Sequence, residues 1–262
     1  MEEKFVTVGK YKIRYLEVGQ TDPNLILLHG LGGYAERWLA LMPFLNKKYH
    51  IFAPDLIGYG QSDKPSVDYT PELFVKFVFD FMDALGIKKT SMIGTSLGGQ
   101  IVAECAALQN PIIEKIIMIS PAGIMKKSTP ALDAYTMAAL YPTQESAKTA
   151  YHMMVGPNKP VSDTSIERFV NNMSRPNAKM VFLSTLLGLK NAPDITEKLG
   201  KIKIPTLLIW GKEDKLIPFE YSEKFASSIN NCILVPMEGC GHSAYVEEPE
   251  RLSKIIIDFL SK

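Results

Sequence analysis

Ser96 lies in Gly94-Thr95-Ser96-Leu97-Gly98, where the apolar run "KTSMI" gives way to the alanine-rich stretch "LGGQIVAECAALQ". A serine on a glycine-flanked strand-to-helix turn lifts its hydroxyl above the strand ends, and the helix that follows aims its free amides and its dipole at any oxyanion formed there. The same five letters also describe an incidental serine in a glycine-rich turn, so context must decide. A hydroxyl becomes a good nucleophile only when a neighbouring imidazole takes its proton, and that imidazole needs a carboxylate to fix its tautomer. The chain offers both after later apolar runs, Asp214 in "LIWGKEDKLIP" and His242 in "MEGCGHSAYVEEPERL". A second glycine-rich loop, His29-Gly30-Leu31-Gly32-Gly33, leaves backbone N–H groups free to supply a further oxyanion donor. The chemistry these residue types suit is acyl transfer through a serine.

Each residue has competitors. The other histidines are His29, expected to hold the glycine loop by hydrogen bonds, His50, which enters a strand, and His152, which falls in a helical stretch. Glu213 adjoins Asp214 but points the other way in an extended loop, Glu238 is a further acid nearby, and Asp55 in "APDLIGYG" reads as a structural loop carboxylate. Met137, Met153, Met154, Met173 and Met180 suit either an adaptable apolar pocket or ordinary packing.

The elements that must position these groups are legible as short β-rich runs alternating with helical patterns, which predicts βαβ units and a parallel sheet. "KFVTVG" and "YKIRYLEVG" read as a leading hairpin, and "NLILLHG", "YHIFAPD", "KTSMIG", "IIEKIIMIS", "IPTLLIWG" and "NCILVPMEG" as six strands. Wholly apolar runs of this length suit strands covered by helices on both faces. "YTPELFVKFVFDFMDALG" predicts a helix with Thr70 as N-cap, Pro71 at its first position and Gly86 just past its end. The alternation stops between about 121 and 200, where helix-like sequence rich in methionine, proline and tyrosine replaces it. That predicts one core domain, residues 1–120 and 201–262, and a helical cap, residues 121–200, inserted over the crevice where open α/β sheets bind ligands.

The composition excludes several classes. A chain of 262 residues with 46% hydrophobic content can bury one large core, and 29 basic residues against 28 acidic ones leave no electrostatic footprint for nucleic acid or an anionic membrane. The opening "MEEKFVTVGK" is acidic where a secretory signal is basic and then apolar, so the expectation is a cytoplasmic protein without a membrane anchor. Cys105, Cys232 and Cys240 have neither disulfide nor metal-ligand spacing, and no cofactor or metal is expected. The expected partner is a small-molecule ester, the expected assembly a monomer or small homo-oligomer.

From Phe5 to Leu260 the ordered segments "LLHGLGG", "APDLIGYGQSDKP", "GTSLGG", "LIWGKEDKLIP" and "GCGH" resemble the α/β-hydrolase superfamily. The resemblance implies a mostly parallel, doubly wound α/β sheet with a helical lid between two strands. It also implies Ser96 as nucleophile, Asp214 as orienting acid, His242 as base, the backbone amides of Leu31 and Leu97 as oxyanion hole, and Gly30 beside the substrate. Members that open epoxides or remove halogens carry aspartate at the elbow, so Ser96 points to an acyl-enzyme. The lid segment "RFVNNMSRPNAKMVFLSTLLG" is similar to that of carbon–carbon hydrolases of ring-fission products, where an arginine matching Arg175 contacts a carboxylate. Those enzymes usually carry asparagine before the serine and tryptophan after the histidine, whereas this chain has Thr95 and Ser243. The expectation is therefore a carboxylesterase of small to medium acyl esters. The alternatives are a carbon–carbon hydrolase and a ligand-binding receptor of the same fold.

Overall fold

Alternate residues of a pleated strand face opposite sides, so a strand apolar at every position must be covered twice. In the computed structural model, which describes residues 1–20 and 22–262, this is how the apolar Leu25–Leu28 segment of β3 (Asn24–Leu28) is used. Leu25 and Leu27 enter one buried cluster, Ile26 and Leu28 the other. The other strands are β1 (Glu2–Val8), β2 (Tyr11–Val18), β4 (His50–Pro54), β5 (Thr90–Thr95), β6 (Ile113–Ile119), β7 (Thr206–Gly211) and β8 (Cys232–Met237). All six apolar runs and the leading hairpin form as read. The sheet order is β1-β2-β4-β3-β5-β6-β7-β8, with β2 antiparallel to both neighbours and the remaining pairs parallel.

The chain steps from β3 to β4 on one side and then crosses to β5 on the other. Such a reversal opens a crevice at the carboxyl ends of the central strands. The helices are α1 (Met42–Leu45), α2 (Pro71–Ala84), α3 (Leu97–Ala107), α4 (Pro130–Leu140), α5 (Gln144–Met154), α6 (Asp163–Met173), α7 (Ala178–Asn191), α8 (Thr196–Leu199), α9 (Tyr221–Ser227), α10 (Ala244–Glu247) and α11 (Pro249–Ser261). α2 starts as read, with the Thr70 hydroxyl accepting from Leu73 N–H at 3.4 Å, and it buries Phe74, Phe77, Val78, Phe81 and Met82 against the sheet. No helix among the described residues is long and apolar enough to cross a membrane.

Helices α4 to α8 fill the interval between β6 and β7. Tyr135, Tyr151, Phe169 and Phe182, one from each of α4 to α7, pack ring against ring with centroids 5.3–6.4 Å apart. Polar ties join this layer to the strand ends: Tyr135 OH donates to Leu31 O at 2.8 Å and Tyr59 OH to Thr185 Oγ1 at 2.7 Å.

Candidate active site

β5 ends at Thr95 and α3 begins at Leu97, so Ser96 alone makes the turn, at φ 53° and ψ −119°. A positive φ is strained for any residue with a Cβ and persists only where its surroundings enforce it. Here Ser96 N–H donates to Ile119 O at 3.1 Å, while Ser96 O accepts from Gln100 N–H and Ala122 N–H, each at 3.0 Å. The flanking glycines are sterically required. A Cβ on Gly94 would meet Gly98 O at 2.1 Å, and one on Gly98 would meet Leu28 O at 2.1 Å.

Asp214 and His242 follow β7 and β8, and both are buried. Asp214 Oδ1 accepts from Leu216 N–H and Ile217 N–H at 2.9 Å each, which turns Oδ2 toward His242 Nδ1 at 2.7 Å. A carboxylate can only accept, so the imidazole proton sits on Nδ1 and Nε2 is left with its lone pair. Two of the competing acids are engaged elsewhere: Glu238 pairs with Lys212 at the surface, and Asp55 is held by Ala35 N–H, Gln61 N–H and Arg14. Glu213 makes no hydrogen bond or ion pair with His242, and its buried Oε2 has no partner among the described residues. Glu247, which the sequence reading passed over, organises the histidine loop. Its carboxylate accepts from Gly241 N–H at 2.9 Å, Ser243 N–H at 3.1 Å and, across to the end of α5, Gly156 N–H at 2.8 Å. His242 N–H itself donates to Met154 O at 2.7 Å.

Neither Leu31 N–H nor Leu97 N–H donates to a protein acceptor among the described residues, and both residues line the cavity that Ser96 and His242 line. Gly30 stands against the nucleophile, since a Cβ there would lie 3.1 Å from Ser96 Cβ. His29 braces this loop as expected: its Nε2 accepts from Leu56 N–H at 3.0 Å and its Nδ1–H donates to Gly30 O at 2.8 Å. Burial holds its pKa down at about 4, below the ordinary 6.5. Between those values the unfolded chain binds a proton that the folded one refuses, so stability falls as pH drops through that window. We expect the wild type to lose about 3 kcal/mol more than His29→Gln between pH 7 and 4. Parallel denaturation profiles for the two proteins would remove His29 as the cause.

The cavity has a volume of about 400 Å³, within the usual range for small-molecule sites. Its roof comes from α4, α5 and α7 through Leu132, Tyr135, Tyr151, Met154, Leu186 and Leu189. One expectation is corrected here, and the choice left open for the methionines is answered residue by residue. Arg175 is exposed between α6 and α7 and lines a separate small depression with Arg14 and Arg168, so it does not reach the cavity. Of the five methionines only Met154 lines the cavity, while Met137 and Met180 are exposed. Conversely, Arg37 lines the cavity and was not singled out, because nothing local in "GGYAERW" marks it.

A sharp turn carrying Ser96, an Asp214–His242 pair and two free amides meet at the carboxyl ends of one sheet. The family model described as the alpha/beta hydrolase fold matches residues 23–249. The chain belongs to this family. Among the relatives of this alpha/beta hydrolase is the 2-hydroxy-6-oxo-6-(2'-aminophenyl)hexa-2,4-dienoic acid hydrolase of Metapseudomonas resinovorans, 27% identical over 99% of this chain and 91% of the relative. Another is human monoacylglycerol lipase ABHD6, 26% identical over 100% of this chain and 82% of the relative. Among solved structures, a membrane phospholipase A described as a bacterial virulence factor superposes with a TM-score of 0.88 at 27% identity, covering 99% of this chain and 86% of that one.

Proposed function

We propose that this alpha/beta hydrolase cleaves small to medium acyl esters through an acyl-enzyme on Ser96. The observation that carries the reading is His242, held by Asp214 from behind, lining one cavity with Ser96 and the Leu31 and Leu97 amides, which have no protein acceptor among the described residues. In the first step His242 Nε2 takes the Ser96 proton as Oγ attacks the ester carbonyl carbon, and the developing oxyanion faces the amides of Leu31 and Leu97. His242 then returns the proton to the leaving alkoxide as the carbon–oxygen bond breaks. Water repeats the sequence on the acyl-enzyme, releasing the acid and freeing Ser96. Of the relatives, the monoacylglycerol lipase and the phospholipase A are named for acyl esters. The apolar cavity roof suits an acyl chain.

A second reading, hydrolysis of a carbon–carbon bond in a ring-fission acid, is supported by the dienoic acid hydrolase relative. It loses the lid arginine that first favoured it, because Arg175 lies outside the cavity. Arg175→Ala is accordingly expected to leave substrate selectivity unchanged and stability within about 0.5 kcal/mol. A selective loss on a keto acid in kcat/KM measurements would restore the arginine's role. The test of the main reading is a mass-spectrometric search for a fluorophosphonate adduct on Ser96, followed by turnover of p-nitrophenyl esters of increasing chain length. Labelling without turnover of any ester or ring-fission acid would favour a ligand-binding receptor.

A further inference from the structure

Arg37 lines the cavity beside His242, and no step of the proposed reaction uses it. Its Nη2 donates to Ser243 Oγ at 3.2 Å and its Nε to the Tyr245 hydroxyl at 3.3 Å. The guanidinium carbon lies 5.2 Å from the centre of the Tyr151 ring and 5.8 Å from that of Tyr245, so the planar group sits among aromatic walls. Of an arginine's five N–H donors, three are left here without a protein acceptor among the described residues.

No carboxylate among the described residues comes within 4.0 Å of this guanidinium. The acid next to Arg37 in the chain and the one four residues past Ser243 are both committed elsewhere. Glu36 holds Arg14 through both oxygens, at 2.6 and 2.9 Å, and Glu247 spends its carboxylate on backbone amides. A partly desolvated cation facing only neutral partners is unfavourable unless an anion completes it. The rest of the wall adds to the imbalance: Lys126, Lys127 and Lys190 also line the cavity, against the single carboxylate of Asp133. The whole chain carries a net charge of only +1, so the positive excess is local to the site.

We propose that Arg37 binds a carboxylate carried by the substrate, which makes the preferred substrates carboxylate-bearing esters, half-esters of short dicarboxylic acids being the simplest. This rests on the ester-hydrolase reading above. The free N–H donors form a planar fork, the match for a bidentate carboxylate, and the tyrosine rings confine the partner to that plane. The lysines would draw the anion in, and Arg37 would fix its register against Ser96.

The test compares kcat/KM for monoethyl succinate and monoethyl glutarate with that for uncharged ethyl butyrate and ethyl pentanoate. Wild type is expected to favour the half-esters. Arg37→Gln, which retains donors for Ser243 and Tyr245 without the charge, is expected to reduce that preference by roughly 10- to 150-fold, the worth of a hydrogen bond to a charged group. Arg37→Lys keeps the charge without the fork and is expected to recover part of it. Equal losses on both series would show that Arg37 only braces Tyr245 and Tyr151, and would overturn the proposal. So would a larger Arg37-dependent gain for an acetyl ester of glycerol 3-phosphate, which would replace the carboxylate by a phosphate. Calorimetric binding of monoethyl glutarate to Ser96→Ala, with and without Arg37→Gln, reads the same contact without turnover. If wild type cleaved no ester but this binding depended on Arg37, the ester reading would fall and the arginine contact would stand. Binding indifferent to Arg37 would overturn the contact alone.

Discussion

Ser96→Ala and His242→Ala are each expected to lower kcat on esters by about 10⁴-fold or more while leaving the fold intact. Alanine at Ser96 removes the attacking oxygen but keeps the Cβ that the strained turn already accommodates, and the hydrogen bonds to Ile119, Gln100 and Ala122 are all backbone. The losses should not add in the double variant, because a base without a nucleophile has no proton to take. His242→Ala removes the acceptor of the serine proton and also unpairs a buried carboxylate, Asp214, so its stability cost exceeds that of Ser96→Ala. The measurements are steady-state kinetics with several p-nitrophenyl esters and a denaturation curve for each variant. Ordinary turnover by folded Ser96→Ala would remove the acyl-enzyme mechanism.

Those residues were legible because their positions are set by strand ends, and strand ends are marked locally. Central runs such as Leu25–Leu28 of β3 could be read because a parallel strand segment covered on both faces is apolar throughout, its neighbours entering different clusters. The edge strand β8, with Ile233 exposed, is marked instead by its β-rich composition. The start of α2 could be read because Thr70 and Pro71 are chemical signals confined to a single turn. Strand order had no such signal. Which side of β3 receives β4 and which receives β5 depends on crossovers that leave no mark on any single strand. Arg37 was missed for a related reason: its partner Ser243 lies 206 residues away, and only the closed fold brings them together. Glu247 follows Ser243 by four residues, yet its tie to Gly156 spans 91. Arg175 was misplaced because likeness in a lid segment fixes a helix boundary but not the direction a side chain faces. The turn through left-handed Asn177 into α7 leaves Arg175 on the outside.

Asp214→Asn is expected to lower kcat by roughly 10³- to 10⁴-fold without unfolding the protein, and the reason lies in which of its oxygens is already committed. Oδ1 accepts two backbone N–H groups, Leu216 and Ile217, at 2.9 Å each. An asparagine must keep its carbonyl oxygen there, since turning its NH₂ toward two donors would leave three unsatisfied groups in a buried site. Its NH₂ therefore faces His242 Nδ1, in the place where the carboxylate oxygen now stands at 2.7 Å. Facing a donor, Nδ1 must become the acceptor, and the imidazole proton moves to Nε2. In that tautomer Nε2 has no lone pair for the serine proton, so the base is present but wrongly loaded. Asp214→Ala allows the imidazole to choose its tautomer and should retain more activity than the asparagine variant, though with lower stability. Glu213→Gln and Glu238→Gln, whose parent side chains make no hydrogen bond or ion pair with His242 among the described residues, serve as comparators and should stay near wild type. If Glu213→Gln or Glu238→Gln proved far more damaging than Asp214→Asn in kcat, the orienting acid would have to be reassigned. If Asp214→Ala and Asp214→Asn were equally impaired, the tautomer argument would fail even with Asp214 kept in its role.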